Sequence, residues 1–497
     1  MATLDTELRS AGLDTPPLRP ALAQAFEESL LYSEHTFGYY GSQPGGFWYG
    51  DEWKKKLAQG KYDRLLQSFD DKRAYIHNTA HIVTNALIAR MELLARSVGA
   101  EGPRLVVFNP LPWERSGEVE ARVPSAQYAS LKDLSEGNLV RSISAEGKTV
   151  RFFAERVPAN GYKTYELIPG QPDESSRPTS GSVIENRFFR LRVDAKRGGA
   201  VSLVDLKTGR ELVPPQDESG LGGYLHERFA KSNVDAYVQS YCRGWALTPQ
   251  SDFNKPVPAP LQQPYAAIRL TNWTAEVRST PLRKTLTLHS PNAAPLARSV
   301  TIEYTLWENQ PYLDIEWSID SKTPDPIPEG GWLCMPLNLE RPRFALSRLG
   351  SVIDPDRDIV PGGNRDLICL NAGMMVTGTD GYGVALCPLD SPLVSLGEPG
   401  LWKFSLDARP RRARVFINLY NNQWDTNFPL WQGGSWNSRV RLWVVSGRSS
   451  LSRNLLTPAW EARLPFLAQY ADGPRGALPT VAPGLQLSRR GVLVTLF

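Results

Sequence analysis

The feature that most constrains this chain is a change of periodicity at Pro103. Before it, residues 20 to about 98 form the only long stretch with helical spacing. ALAQAFEESLLYSEH sets Leu22, Phe26, Leu30 and Leu31 near one helix face. After a Gly-rich break, GYYGSQPGGFWYG, a long Pro-free, charged run follows from Asp51, with Leu65, Phe69, Ile76 and Ile82 among its apolar positions. From Pro103 onward, short runs rich in Val, Phe, Tyr and Thr alternate with Gly, Pro, Asn and Asp: RLVVFNP, GEVEARV, TVRFFAERV, YKTYELI, FFRLRVD. A chain so divided folds as helices first and many short strands afterwards.

AKRGGAVSLVDLKTGRELV predicts a hairpin pair, with Gly198-Gly199 and Thr208-Gly209 supplying turn residues. Further strands are expected in AAIRLTNWTAEVRS, RKTLTLH, RSVTIEYTLWE, YLDIEWSID, ICLNAGMMVTGT, GVALCPL, RARVFINLY and RVRLWVV. So many antiparallel strands imply β-sandwiches rather than a parallel sheet. The fold class expected is mainly β with an N-terminal helical segment. The expected division is a helical bundle remnant over 1–100, a small β-sandwich over 101–180, and a large β unit over 181–497 that lacks its C-terminal end. Two Pro-rich stretches, 169–181 and 249–264, read as linkers or surface loops.

Composition excludes several function classes. A net charge of +4 over 497 residues, with no basic arm, argues against a nucleic-acid partner. No apolar stretch is long enough to span a bilayer, and the N-terminus shows no basic segment followed by an apolar one, so a cytoplasmic location is expected. Cys242, Cys334, Cys369 and Cys387 are scattered and read as reduced thiols rather than a disulfide framework. Aromatic residues, 14 Trp among them, suit sandwich cores and also suit stacking on sugar rings.

Several segments resemble glycoside hydrolase family 38, the α-mannosidases. VVFNPLPWERSGEVE (106–120) resembles the strand opening the first β-domain after that family's helical bundle. ENRFFRLRVDAKRGGAVSLVDLKTGREL (185–212) is similar to the opening of its supersandwich. LYNNQWDTNFPLW (419–431) is similar to an Asn-rich segment of a related bacterial branch, and GLQLSRRGVLVTLF to its last β-domain. The resemblance runs from about residue 20 to 497. It implies a helical bundle followed by antiparallel β-sandwich, or supersandwich, domains, and matches every part of the family layout except the N-terminal catalytic barrel.

Family 38 enzymes are retaining glycosidases with two catalytic carboxylates and a zinc ion that grips sugar hydroxyls. The resemblance places the nucleophile and a His-x-Asp pair of zinc ligands in the barrel; no HxD tripeptide occurs in this sequence. It puts one further zinc ligand at His35, in SEHTFG, with Thr36 where Asp is usual. The bland alternative for His35 is a helix-end histidine bonded to backbone. His77 and His81 stand one helical turn apart, a metal-competent spacing in which Asn78 replaces the glutamate of a zincin helix. In NNQWDTNFPLWQGGSW, the amides of Asn421, Asn422 and Asn427 are candidates to read sugar hydroxyls, and Trp424, Trp431 or Trp436 to stack on a pyranose. Against that stands a turn-rich loop whose Asn side chains cap their own backbone. His226 and Glu227 are read as structural, and the acidic DPDRD (354–358) as an exposed loop rather than a calcium site.

The chain opens within a helical element and stops in mid-strand at SRRGVLVTLF. The expectation is therefore the C-terminal part of an α-mannosidase-like hydrolase. It would bind a mannoside-like glycan and be inactive without a separately encoded barrel, with zinc belonging to the intact enzyme. The competing reading is a stand-alone carbohydrate-binding or scaffold β-sandwich protein.

Overall fold

The computed structural model of the chain describes residues 1–34, 38, 48–125, 128–141, 143–145, 148–170, 177–241, 263–423, 428–447, 450–485 and 487–488. His35, Trp424, Asn427, Cys242, residues 171–176 of the first Pro-rich stretch and 249–262 of the second lie outside them.

The switch at Pro103 is real. Helices Ala2–Ser10, Leu18–Ser33, Gly50–Ala58 and Asp63–Ser97 come first, and strands dominate from Arg104. The 35-residue helix Asp63–Ser97 buries Met91, Leu94 and Ala95 at its C-terminal end and Leu65 and Phe69 near its start. Helix Leu18–Ser33 packs along it, Thr79 donating to the Ala25 carbonyl at 3.3 Å. The expected apolar face of that shorter helix points to water: Phe26 is 68% exposed and Leu30 71%. Among the described residues no helix is long and apolar enough to cross a membrane.

Arg104, the first residue of the first strand, ties helix to sandwich. Its buried guanidinium donates to Ala95 O at 3.0 Å and Gly102 O at 2.9 Å, and more distantly to Arg96, Gly473 and Pro474 carbonyls. Carbonyls at a helix C-terminus lack intrahelical partners and carry partial negative charge, which a cation satisfies. Strand Arg104–Phe108 is buried on both faces. Leu105 and Val107 enter the small-sandwich core with Val119, Phe152 and Tyr165. Val106 and Phe108 face Met91 and Leu94 of the long helix.

The small sandwich packs a three-stranded sheet (Arg115–Arg122, Thr149–Val157, Ile143–Ala145) on a six-stranded one. Strand Leu467–Ala471 pairs with Arg104–Phe108, and Val481–Ala482 with Tyr162–Pro169. The chain therefore re-enters this unit at its far end, beyond the 101–180 limits drawn from sequence. Edge pairing of this kind joins segments too distant for local patterning to connect.

The large unit holds a ten-stranded, a six-stranded and a four-stranded antiparallel sheet around one apolar core that includes Leu191, Leu288, Ile302, Trp317, Val384, Ile417 and Leu442. The fold is thus mainly β, with a helical segment followed by antiparallel sandwich domains, as the sequence implies. The predicted hairpins form at Phe189–Asp194, Gly199–Asp205 and Arg210–Glu211. Gly198 and Gly209 take left-handed φ values of 67° and 71°, a region open to glycine at little steric cost. DPDRD forms a short helix over Pro355–Asp358, capped by Asp354, which accepts from Asp356 N at 3.0 Å. Cys334 and Cys387 are buried free thiols and Cys369 is an exposed one.

Candidate functional site

Strand Gly223–Arg228 lies between Ala266–Ile268 and Glu329–Pro336 in the six-stranded sheet, with Arg414–Asn421 beyond. Alternation along it sends Tyr224 to the central core and Leu225 to the opposite, outer face. His226 and Glu227 continue that alternation, facing inward and outward. Opposite them stand Gly331 and Gly330. A Cβ on Gly331 would lie 2.2 Å from the Tyr420 ring, and one on Gly330 would lie 2.0 Å from Leu401. The glycine pair therefore lets a tyrosine close over one face and a loop over the other. A bulge at Gly331/Trp332 completes the arrangement.

On the inner face a polar network is closed within the core. Tyr420 OH lies 2.6 Å from Tyr224 OH and 2.9 Å from His226 Nδ1. Lys322 Nζ donates to Glu329 Oε1 at 2.6 Å and to Gln432 O at 2.9 Å, with both side chains shut from solvent. Burial pushes the Glu329 carboxyl up to about 7, against the opposing pull of Lys322. Burial, aided by Lys322 and Arg228, pushes His226 down to about 3. His226 is accordingly neutral, and its 3.8 Å approach to Glu329 is not an ion pair.

On the outer face Glu227 is 3% exposed. Its Oε1 accepts from Tyr265 OH and its Oε2 from Trp332 Nε1, each at 2.6 Å. Burial raises its pKa, and the two hydrogen bonds oppose that rise. It borders a cavity of about 940 Å3, also lined by Tyr265, Asp366, Trp402, Arg365 and Arg414. Asp366 is likewise raised by burial, while the Ser405 N–H, 3.1 Å away, opposes it. Trp402 holds φ at 55°, a left-handed conformation unusual for a bulky residue, and its buried Nε1 has no acceptor among the described residues. A cleft lined by aromatic rings, raised carboxyls and several cationic side chains has the makings of a binding site. It offers Glu227 and Asp366 as groups able to hold or accept a proton.

The residues anticipated from sequence sit apart from this cavity. Asn422 is a buried clamp: its Oδ1 accepts from Glu329 N at 2.7 Å, and its Nδ2 donates to Ile327 O and Leu430 O, both at 2.9 Å. Asn421 donates to Asn418 Oδ1 at 2.7 Å and accepts from Gln423 N at 3.1 Å. Neither lines the cavity: Asn421 bonds its neighbours Asn418 and Gln423, and Asn422 ties backbone from segments far apart in the chain. Gln423 does reach it indirectly, accepting from Trp402 N at 3.3 Å. Trp431 packs edge-on to Trp53 and Tyr62 at 5.1 Å, anchoring the helical segment, and Trp436 packs on Trp317 and Tyr420. Glu227, read as structural, borders the cavity. Its signal in sequence was a carboxylate on a strand whose alternate residue, Leu225, faces the same way.

His35, the zinc ligand that the resemblance implies, lies outside the described residues. Among the described residues no three His, Cys, Asp or Glu side chains are grouped to hold a metal ion. His77 and His81 are exposed on helix Asp63–Ser97 without a third donor.

Neither a protein-family model nor a curated protein matches this sequence. Solved structures do. An α-mannosidase from Enterococcus faecalis V583 matches 86% of this chain and 52% of its own length at 13% identity, with a TM-score of 0.51. A glycosyl hydrolase family 38 protein from Enterococcus faecalis matches 92% of this chain and 58% of its own length at 12% identity, with a TM-score of 0.54. The chain thus has the fold of these glycosyl hydrolase family 38 structures, and spans a little over half the length of each of these two.

Proposed function

We propose that this chain is the bundle-and-sandwich part of an α-mannosidase-like retaining glycoside hydrolase, and that it binds saccharide in the cavity beside Glu227. The observation that carries the reading is the fold shared, over nearly all of this chain, with an α-mannosidase and a family 38 protein. The raised carboxyls, Tyr265 and the Trp402 ring support the choice of cavity, because sugar hydroxyls need polar partners beside an aromatic ring. The nucleophile and the zinc of the intact enzyme belong, in this reading, to a barrel outside this sequence. The chain contributes ligand binding and a scaffold.

Calorimetric titration with methyl α-mannoside and α-mannobiose, alongside turnover of 4-nitrophenyl α-mannoside by the same preparation, tests this. Binding without turnover is expected, and Glu227→Gln weakens it. Chelator-sensitive turnover by the chain alone would overturn the assignment of catalysis to a barrel. A folded chain that binds no hexoside would overturn the saccharide role.

A further inference from the structure

The cavity beside Glu227 carries far more positive charge than binding a neutral sugar requires. Arg365, Lys403, Arg409, Arg411, Arg412 and Arg414 line it, against the carboxylates of Glu227, Asp366 and Glu398. That is a local surplus of three positive charges in a chain whose whole net charge is +4. Part of this charge is compensated. Lys403 pairs with Glu398 at 3.3 Å, and Arg414 with Asp217 at 3.0 Å. Arg365 donates through Nη2 to Ile359 O at 3.0 Å.

The remainder is not compensated. Arg409, Arg411 and Arg412 are exposed and make no ion pair among the described residues. The Nε atoms of Arg365 and Arg414 are buried and donate to nothing described. A buried guanidinium N–H without an acceptor is costly, and like charges crowded on one cleft repel each other, so such a cluster is relieved by a bound anion. The planar fork of arginine matches a carboxylate, sulfate or phosphate with two parallel hydrogen bonds. The arginine-bearing part of the cavity lining therefore has the chemistry of an oxyanion subsite.

We propose that this cavity takes an anionic saccharide, its oxyanion held by Arg365, Arg411, Arg412 and Arg414 while the sugar hydroxyls meet Glu227, Tyr265 and Trp402. The sugar half of the statement rests on the saccharide reading above; the anion half does not. Mannose 6-phosphate, mannose 6-sulfate, mannuronate, neutral mannose and inorganic phosphate are titrated into the full chain and into Arg411→Ala/Arg412→Ala, whose altered side chains are exposed and leave the core intact.

At least one charged sugar is expected to bind about tenfold more tightly than mannose, and the double variant to lose about that factor for charged ligands alone. Added salt weakens only the charged ligands. Equal affinity for mannose and the charged sugars overturns the anion subsite and leaves the saccharide reading standing. Phosphate binding that the double variant loses, without any sugar binding, keeps the anion subsite and overturns the saccharide half. Charged-ligand affinity unchanged in the double variant, or no binding of any ligand, overturns the proposal.

Discussion

Replacing Lys322 with methionine isolates the electrostatics of the inner-face network. Lys322 is fully enclosed, and its ammonium meets Glu329 at 2.6 Å, Gln432 O at 2.9 Å and Thr323 O at 3.1 Å. Methionine fills a similar volume but leaves Glu329 as a buried carboxylate without its cation. Removing one partner of a buried pair costs about 3–5 kcal/mol. The penalty depends on pH, and the sign follows from linkage. The folded Glu329 carboxyl lies at about 7, above its ordinary 4.5, so its contribution to stability is fully present below 4.5 and lost as pH rises through about 7. Without Lys322 the carboxyl rises further, so the variant is penalised most where Glu329 must ionise. At about pH 8 the full 3–5 kcal/mol is expected. At about pH 5.5 Glu329 is protonated, and only hydrogen bonds are lost, about 1–3 kcal/mol. Urea unfolding at both pH values, followed by the fluorescence of Trp317 and Trp436 beside the network, measures the difference. Adding Glu329→Leu to the variant should recover most of the loss at the higher pH, because the uncompensated charge is gone. A penalty that is the same at both pH values, or that the second substitution does not relieve, refutes the reasoning.

Two further substitutions test how the site is built. Gly331→Ala sets a methyl 2.2 Å from a Tyr420 ring that His226 and Tyr224 hold in place, so unfolding experiments should show a loss of about 1–3 kcal/mol; wild-type stability would show that Tyr420 is free to move. Trp431→Ala removes the edge contacts to Trp53 and Tyr62 and is expected to cost about 2–4 kcal/mol. Hydrogen exchange should rise in helix Gly50–Ala58 and the start of helix Asp63–Ser97 while the sandwiches stay protected; uniform protection contradicts the anchoring role.

The strands that alternate polar and apolar residues were legible because each buries one face. Thr149–Val157 and Ser299–Trp307 are examples. Strand Glu329–Pro336 was not anticipated. It is buried on both faces and contains Gly330 and Gly331, so it shows neither alternation nor typical strand composition. Asn421 and Asn422 drew attention as amides in a turn-rich, aromatic segment, but composition cannot tell an amide that reads a ligand from one that clamps a backbone. The contacts of Asn422 with Glu329, Ile327 and Leu430 decide that, two of them reaching more than ninety residues back along the chain.

What the sequence determined by itself was local: helices before Pro103, strands after it, the glycine turns at 198 and 209, and the family whose ordered motifs it resembles. Those properties follow from periodicity and from φ restrictions that act within a few residues. The tertiary structure alone decided which segments meet. It returned Leu467–Ala471 to pair with the first strand, and turned the apolar face of Leu18–Ser33 toward water. It also brought Glu227, Asp366, Trp402 and arginines from 365 to 414 around one cavity. Sheet pairing and burial join residues hundreds of positions apart, and no local pattern records which ones they will be.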